Sequence, residues 1–342
     1  RSSPVQVPGT KWSTASGTKW SSYFSHAVRT DGTLWFQGRS FYGASGIPAK
    51  PESEISSPTQ VPGTTWVNID TEQHAIATKT DGTLWAWGRN HEGQQGVNDT
   101  VDRSSPIQIP GTTWSTAGHE DGITVGSDSC AALKTDGTLW LWGENTNGFL
   151  GQNDNVKYSS PVQIHGGGTT WSTVNGQKSV AAVKTDGTLW VWGLNNYGQL
   201  GVGNEAPRSS PTQIPGTTWS YASEGENIMM GLKTDGTLWA WGNNGKGELG
   251  QNNRTTYSSP RQIGSDTTWS AISAGPSPKA LKTDGTIWTW GSNTDGKLGL
   301  NQTTDQAARS SPVQMTSTSE HTNTWYRVSA QGGNLFAFQR ST

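Results

Sequence analysis

The stretch Thr80–Gly88 reads TDGTLWAWG, and close copies of it begin at Thr30, Thr135, Thr185, Thr234 and Thr283. The aspartates of the six copies are Asp31, Asp81, Asp136, Asp186, Asp235 and Asp284, so that successive copies are 50, 55, 50, 49 and 49 residues apart. A nearly constant step of this length indicates a repeat array, in which each repeat is one supersecondary unit.

The Asp-Gly pair in each copy, flanked by threonine on both sides, predicts a two-residue β-hairpin turn. The strand that follows carries Leu84, Trp85 and Trp87. Side chains alternate between the two faces of a strand, so the tryptophans share one face and Leu84 takes the other. Both faces are apolar and need cover on both sides. Four-stranded sheets stacked around a central axis supply that cover, and the pattern therefore predicts an all-β fold, the β-propeller.

Three further strands are expected in each repeat. Ser-Ser-Pro-Xaa-Gln marks one of them, at Ser2, Ser56, Ser104, Ser159, Ser209, Ser258 and Ser310; Gly-Thr-Thr-Trp or a relative marks another, with Trp12, Trp66, Trp114, Trp171, Trp219, Trp269 and Trp325. The third ends just before the Asp-Gly turn. Residues 1–342 are interpreted as one propeller with approximate repeats 1–55, 56–103, 104–158, 159–208, 209–257, 258–309 and 310–342.

The Ser-Ser-Pro strand and the Gly-Thr-Thr-Trp strand each occur seven times, but the Thr-Leu-Trp strand occurs only six times, so the strand counts are uneven. We expect seven blades, of which the closing blade lacks one strand in this chain. On the same ground the natural protein is expected to continue beyond Thr342 or before Arg1.

The bulk composition excludes several classes of function. The chain has 342 residues, a formal net charge of −2 and 15% charged residues, which leaves no basic excess for a nucleic-acid backbone. Cys130 is the only cysteine, so neither an intramolecular disulfide nor a thiolate zinc cluster can form. No apolar run approaches the roughly 18 residues of a membrane span. We expect no nucleic-acid partner, no membrane insertion and no cofactor.

The 19 tryptophans need an explanation of their own. All but one occupy positions that recur from repeat to repeat, which favours packing between blades; aromatic platforms for sugars are the alternative.

The lysines and aspartates of Lys-Thr-Asp-Gly predict two rings of charge, which are interpreted either as solvated turn flanks or as a field that steers a ligand.

Candidate site residues lie where the repeats deviate. Repeat one has Gln37 in place of the second tryptophan and a longer connector that contains Tyr42, and repeat three carries an insertion with His119, Glu120 and Asp121. These four residues, Tyr42 and the insertion triplet, are the candidate binding residues. No catalytic motif and no regular metal-ligand spacing is present, so no catalytic residue and no metal ligand is predicted.

The order Trp-Gly-Xaa-Asn-Xaa-Xaa-Gly-Gln-Leu-Gly, Ser-Pro-Xaa-Gln-Val/Ile and Asp-Gly-Xaa-Leu-Trp resembles the repeats of the regulator of chromosome condensation family. The resemblance covers essentially the whole chain and implies a seven-bladed propeller. The family tends to place histidine seven residues before the aspartate, and here only His74 does so.

These features lead to three functional hypotheses. The first is a non-enzymatic structural or protein-interaction propeller that is displayed on a bacterial-virus particle or a bacterial cell surface, because the regular array resembles those of bacterial surface and virion proteins. Its partners are then other virion or surface proteins, and its location is extracellular. The alternatives are a lectin-like propeller that binds glycans and, by resemblance, a guanine-nucleotide exchange factor for a small GTPase.

Overall fold

The structure, a computed structural model, describes residues 11–17, 24–117, 122–300, 307–315, 325–331 and 334–339. Its strands form six four-stranded antiparallel sheets and one two-stranded sheet. Each four-stranded sheet is a blade in which the strands pair in sequence order. In blades 2 to 6 short hairpins join the first three strands, and in each blade a longer connector precedes the fourth.

Blades 1 to 3 contain twelve strands. Blade 1 consists of β1 (Trp12–Gly17), β2 (Phe24–Arg29), β3 (Leu34–Arg39) and β4 (Glu54–Val61). Blade 2 consists of β5 (Trp66–Thr71), β6 (His74–Lys79), β7 (Leu84–Gly88) and β8 (Arg103–Ile109). Blade 3 consists of β9 (Ile123–Val125), β10 (Ser129–Leu133), β11 (Leu139–Gly143) and β12 (Tyr158–Gln163).

Blades 4 to 6 contain the next twelve. Blade 4 consists of β13 (Trp171–Gly176), β14 (Ser179–Lys184), β15 (Leu189–Gly193) and β16 (Arg208–Ile214). Blade 5 consists of β17 (Trp219–Gly225), β18 (Ile228–Lys233), β19 (Leu238–Gly242) and β20 (Tyr257–Gln262). Blade 6 consists of β21 (Trp269–Ser273), β22 (Lys279–Lys282), β23 (Ile287–Gly291) and β24 (Arg309–Gln314), with a short 3-10 helix (Thr294–Gly296) in its connector. The two-stranded sheet is β25 (Trp325–Gln331) with β26 (Asn334–Gln339).

The first strand of each sheet lies nearest the central axis. β1 contacts β5, and the contacts continue through β9, β13, β17 and β21 to β25, which in turn contacts β1. The inner strands therefore form a closed ring, and the Ser-Ser-Pro strand of each blade lies at the rim. The blades are consequently out of phase with the sequence repeats, because each blade ends with the Ser-Ser-Pro strand assigned from sequence to the next repeat.

The expected number of seven blades is wrong for this structure, which shows six. The strands β25 and β26 form only a two-stranded sheet between β21 and β1. The reason lies in the uneven census of strands: the last repeat has no Thr-Leu-Trp copy, and the Ser-Ser-Pro copy at Ser2 lies outside the described residues. The predictions of an all-β propeller and of four-stranded blades are confirmed.

The third strands of blades 2 to 6 are buried on both faces, as their pattern predicts, whereas in β3 of blade 1 the face with Trp35 and Gln37 is half-buried to exposed. In β7, Leu84 and Trp87 are fully buried and Trp85 is half-buried. The second tryptophan also joins neighbouring blades, because its indole nitrogen donates a hydrogen bond of 2.7 to 3.0 Å to a carbonyl in the connector of the preceding blade. The five pairs are Trp87 with Ala44, Trp142 with Gln94, Trp192 with Phe149, Trp241 with Gln199 and Trp290 with Glu248.

Candidate interaction surface

The disc has two faces of different construction. The Asp-Gly turns and the Gly-Thr-Thr segments lie at one face, which we call the hairpin face. The hairpins between the first and second strands and the long connectors lie at the other, which we call the connector face. This division follows from the antiparallel strand order of every four-stranded blade.

The aspartates of the hairpin face stabilise their own turns. In blade 2, Asp81 Oδ1 accepts hydrogen bonds from the backbone N–H and the hydroxyl of Thr83 at 3.0 and 2.7 Å, and the Thr83 hydroxyl accepts one from the indole of Trp85 at 2.8 Å. These hydrogen bonds to the carboxylate lower the pKa of Asp81 below its usual value. The same arrangement recurs at Asp31, Asp136, Asp186, Asp235 and Asp284.

The lysines of the hairpin face lie against tryptophan rings. The Lys79 ammonium is 4.6 Å from the ring centre of Trp66 and 4.2 Å from that of Trp85, which is within the range of a cation–π interaction. Equivalent cages enclose Lys134, Lys184, Lys233 and Lys282, and Arg29 approaches Trp12 and Trp35 in blade 1. These lysines, which remain partly exposed beside their turns, therefore also pack against framework tryptophans.

Tyr42 stands out on the connector face. It is 41% exposed and has a φ of 54°, a left-handed conformation that bulky residues rarely adopt. Its ring meets the ring of His91 edge-on, with centres 5.5 Å apart, and the Arg89 guanidinium carbon lies 5.9 Å from its centre. Its backbone N–H donates to a carboxylate oxygen of Glu52 at 2.9 Å. The structure thus brings a sequence-predicted residue together with two residues of the next blade.

Arg89 links this aromatic group to blade 3. Its guanidinium lies 2.7 Å from Asp128 Oδ1, and Gln94 Nε2 donates to the same oxygen at 3.0 Å. Burial raises the pKa of Asp128, and the charges of Glu92 and Glu144 act in the same direction against the opposing effect of Arg89. His91 Nε2 lies 3.1 Å from Asp102 Oδ2. We call the five residues Tyr42, Arg89, His91, Asp102 and Asp128 the Tyr42 surface.

Other exposed apolar side chains lie on the same face. Among the described residues the large hydrophobic side chains that are exposed are Tyr42, Val101, Val156 and Tyr197, and all four belong to connectors. Tyr42 and Tyr197 occupy the same repeat position, directly before a glycine that abuts a serine of the next blade's outer strand. The corresponding residues of the other blades are Glu92, Asn147, Lys246 and Asp295.

The remaining sequence candidates have different outcomes. His119, Glu120 and Asp121 lie outside the described residues. Gln37 is exposed, and its amide donates to the Ser56 carbonyl at 3.0 Å. Arg89, His91 and Asp128 were not predicted from the sequence. The signal that marks them is variation: connector positions differ from blade to blade, whereas the framework positions repeat.

Cys130 and His74 form a thiol–imidazole pair that is enclosed within the fold. Cys130 Sγ lies 3.3 Å from His74 Nε2, but both side chains are almost completely buried, so that a substrate cannot reach this thiol–imidazole pair in the folded state.

No group of three or more His, Cys, Asp or Glu residues that could hold a metal ion occurs within the described ranges. In that same part of the chain, no helix has the length and apolar character that crossing a membrane requires.

A shallow cavity of about 350 Å³ opens on the hairpin face between blades 3 and 4. It is lined in part by Ser115, Lys134, Asp136, Trp171, Ser172 and Thr185. Blade 3 departs from the repeat at this point, because Trp114 forms only an isolated bridge with Lys134 and the inner strand begins at Ile123.

Comparison with known sequences gives one family. The sequence profile of the regulator of chromosome condensation (RCC1) repeat matches residues 81–133, 136–182, 186–231, 235–277 and 284–335, well over half of the chain. No curated protein sequence matches significantly.

Comparison with solved structures gives the same fold. The crystal structure of human WBSCR16 has a TM-score of 0.82 at 18% identity and covers 98% of this chain and 89% of its own. Yeast RCC1 (Prp20) bound to Kap60 has a TM-score of 0.80 at 18% identity, with coverage of 96% and 81%. Prp20p from Saccharomyces cerevisiae, in a study of its binding to Gsp1p and histones, has a TM-score of 0.75 at 18% identity, with coverage of 90% and 78%. At this identity the likeness concerns the fold.

Proposed function

Because the chain belongs to the regulator of chromosome condensation (RCC1) repeat family, we propose that it is a non-enzymatic propeller that binds a protein partner through its connector face. The Tyr42 surface is the centre of this interface. The partner is another component of a bacterial-virus particle or of a bacterial cell surface, where the propeller is displayed outside the cell.

One observation carries the choice of face. The exposed large hydrophobic side chains of the described residues are Tyr42, Val101, Val156 and Tyr197, and each lies in a connector. Each of the four lies in the connector of a different blade, and at Tyr42 the ring also has the Arg89 guanidinium beside it. Tyrosine and arginine, together with tryptophan, are enriched among the residues that dominate binding energy. The left-handed backbone of Tyr42 adds support, because such strain concentrates at functional positions.

The non-enzymatic part of the proposal is supported by how the polar groups are used. The Asp-Gly carboxylates accept hydrogen bonds from their own turns, the lysines lie between tryptophan rings, and the His74–Cys130 pair is buried. The location at a surface is supported by the nearly neutral charge and by the resemblance of the array to those of bacterial surface and virion proteins.

Amine cross-linking on intact particles or cells tests both parts. Lys50 and Lys246 are exposed on the connector face, and Lys11 is exposed at the other. We expect intermolecular cross-links to Lys50 and Lys246, weakened by the double variant Tyr42→Ala, Arg89→Ala. Cross-links confined to Lys11 would reject the connector face. Absence of the chain from purified particles and surface fractions by mass spectrometry would reject the location.

Glycan binding is a second candidate, favoured by the cavity between blades 3 and 4. Its lining of hydroxyl groups, one carboxylate and one ammonium suits a neutral sugar. A glycan array with the chain and with Asp136→Asn tests it: a hit that the substitution abolishes supports the candidate, and an empty array rejects it.

We also propose that β25 and β26 are the inner half of a seventh blade. β25 begins at a tryptophan and pairs with β26 with a register shift between Trp325 and Arg327, just as β17 pairs with β18 with a shift between Trp219 and Tyr221. It lies between β21 and β1 in the ring of inner strands. A high-resolution map of the propeller with no sheet in that gap would contradict this proposal.

A further inference from the structure

The connector of blade 1 is attached to the next blade differently from the four connectors that follow it. In blades 2 to 5 one connector residue with a positive φ donates its backbone N–H to a serine carbonyl in the outer strand of the next blade, at 2.7 to 2.8 Å. The four pairs are Asn98 with Ser159, Asn153 with Ser209, Gly203 with Ser258 and Asn252 with Ser310. The corresponding residue of blade 1 is Pro48, which has no N–H. This backbone bond therefore cannot form between blades 1 and 2.

Side chains attach the connector of blade 1 to blade 2. Its buried part is fixed by the Trp87 indole, which donates to the Ala44 carbonyl at 3.0 Å. At its exposed part the Tyr42 ring meets the His91 ring, with centres 5.5 Å apart, and lies 5.9 Å from the Arg89 guanidinium carbon. The contacts of Tyr42 thus contribute an attachment that a backbone bond supplies in blades 2 to 5.

Arg89 and His91 form a hydrogen bond that defines where the imidazole carries its proton. Arg89 Nε–H donates to His91 Nδ1 at 3.4 Å, and a ring nitrogen that accepts a hydrogen bond carries no proton. His91 Nε2, which lies 3.1 Å from Asp102 Oδ2, therefore carries the single ring proton and donates to that carboxylate. In this arrangement His91 is neutral, and its side chain is 48% exposed, so that water can deliver a second proton.

Protonation of His91 reverses the sign of its contact with Arg89. A proton on Nδ1 points at the guanidinium, so that two donors and two positive charges face each other. Imidazole is the side chain that ordinarily changes its charge between pH 5 and 8. Arg89 is also held by Asp128 at 2.7 Å. Burial raises the pKa of Asp128, so that acidification weakens this second contact in the same direction.

Other charged groups on the elements that meet at the Tyr42 surface are engaged with partners of their own. The pairs are Glu92 with Lys157, Asp99 with Arg103, Glu144 with the backbone N–H of Thr146, Glu52 with the backbone N–H of Tyr42, and Arg39 with the ring of Phe41. Within the described part of the chain, the charged groups in direct contact with the His91 ring nitrogens are Arg89 and Asp102. Protonation of the ring therefore acts chiefly on Arg89.

We propose that Tyr42, Arg89 and His91 form an acid-sensitive latch between blades 1 and 2. At neutral pH the latch is closed and holds the exposed part of the first connector, residues 41–49, on blade 2. Protonation of His91 displaces Arg89 and releases this segment. The effect on a partner rests on the proposed connector-face interface: because Arg89 belongs to the Tyr42 surface, binding through this surface weakens as the pH falls from 7.5 to 5.5.

Hydrogen–deuterium exchange of the 342-residue protein at pH 7.5 and 5.5, corrected for intrinsic exchange rates, tests the latch without a partner. We expect residues 41–49 to exchange faster at the lower pH by a factor of about three or more, because local opening sets the exchange rate. The connector of blade 4 is the internal control. There Tyr197 occupies the position of Tyr42, Asn243 and Gly245 occupy those of Arg89 and His91, and Gly203 makes the backbone bond. Residues 196–204 should show no such difference.

His91→Gln separates the latch from other effects of pH. Glutamine can accept from Arg89 and donate to Asp102 as the neutral imidazole does, but it takes up no proton in this range. We expect the variant to lose the pH difference in residues 41–49. No acceleration in the natural chain, an equal acceleration in His91→Gln, or an equal acceleration in the connector of blade 4 would each overturn the latch.

A photoreactive side chain tests the effect on the partner, because its chemistry, unlike that of an amine cross-linker, does not depend on pH. Val101→benzoylphenylalanine changes an exposed position of the second connector. We expect its cross-link yield on intact particles or cells to fall by a factor of about three or more from pH 7.5 to 5.5, and to be independent of pH when His91→Gln is added. A constant yield in the natural background would overturn the effect on binding. Absence of cross-links at both pH values would reject the connector-face interface, while the exchange experiment still decides the latch.

Discussion

The indole nitrogen of Trp192 donates a 2.7 Å hydrogen bond to the carbonyl of Phe149, which lies in the connector of the preceding blade. Both residues are buried, so water cannot replace this bond. The same relationship joins each of the first five blades to its successor. It explains why the second tryptophan recurs, and why the chain can hold its blades together without a disulfide.

The first prediction concerns this bond. Trp192→Phe leaves the buried Phe149 carbonyl without a donor, and we expect a loss of about 1–3 kcal/mol in the free energy of unfolding. Trp190→Phe is the matched control, because the Trp190 indole is half-buried and donates to the Thr188 hydroxyl. Urea denaturation measures both variants. Equal losses would show that the bond between blades adds nothing to the general effect of a smaller ring.

The second prediction concerns the cation between two rings. The Lys184 ammonium lies 4.5 Å from the Trp171 centre and 4.6 Å from the Trp190 centre. Lys184→Met keeps the aliphatic stem and removes the charge, and we expect the free energy of unfolding to fall by about 0.5–2 kcal/mol. Lys246→Met, at an exposed connector position, should leave it unchanged. If the two substitutions have the same effect, the cages do not stabilise the fold.

The third prediction is a pH dependence that originates at His26. Complete burial lowers the pKa of His26 from 6.5 to about 3, among the rings of Phe24, Phe36 and Trp87. Between these two values the unfolded chain binds a proton that the folded chain excludes. Stability therefore falls as the pH drops from about 6.5 towards 3, with a slope of up to about 1.4 kcal/mol per pH unit.

His26→Leu removes this contribution. We expect the difference in unfolding free energy between the natural chain and the variant to change across pH 6.5 to 4 and to be constant above pH 7.5. The carboxylates titrate in both proteins, so the difference isolates the histidine. A difference that is independent of pH would contradict the prediction.

Much of the fold could be predicted from one nine-residue phrase. The Asp-Gly turn, the doubly buried strand and the period of about fifty residues are local features, and a repeat array copies local features into global architecture. The number of blades could not be predicted in this way, because it depends on how the strands at the closing junction pair. That pairing gives β25 and β26 a two-stranded sheet where the count of motifs indicates a nearly complete blade.

The site was less predictable than the fold. Tyr42 was found as a deviation in a connector, but its partners Arg89 and His91 come from the next blade, and Asp128 comes from the one after it. Such contacts depend on the stacking of blades, which a single repeat does not encode. Likewise, His26 and Lys279 read as ordinary polar residues in the sequence, although the register places both at a core position that is apolar in blades 2 to 5.

The fourth prediction separates strain from binding at the Tyr42 surface. Tyr42 and Tyr197 occupy the same connector position and are exposed to a similar degree, 41% and 44%, but only Tyr42 has a positive φ, at 54°. Glycine adopts this conformation freely, whereas other residues pay about 1–2 kcal/mol for it. Tyr42→Gly should therefore be more favourable for stability than Tyr197→Gly by about that amount, as measured by urea denaturation.

If Tyr42 is kept in this conformation for binding, the variant that is relieved of strain should also lose the cross-links to its partner. Equal effects of the two substitutions on stability would mean that the left-handed backbone stores no strain, and cross-links that persist in Tyr42→Gly would remove this ring from the interface.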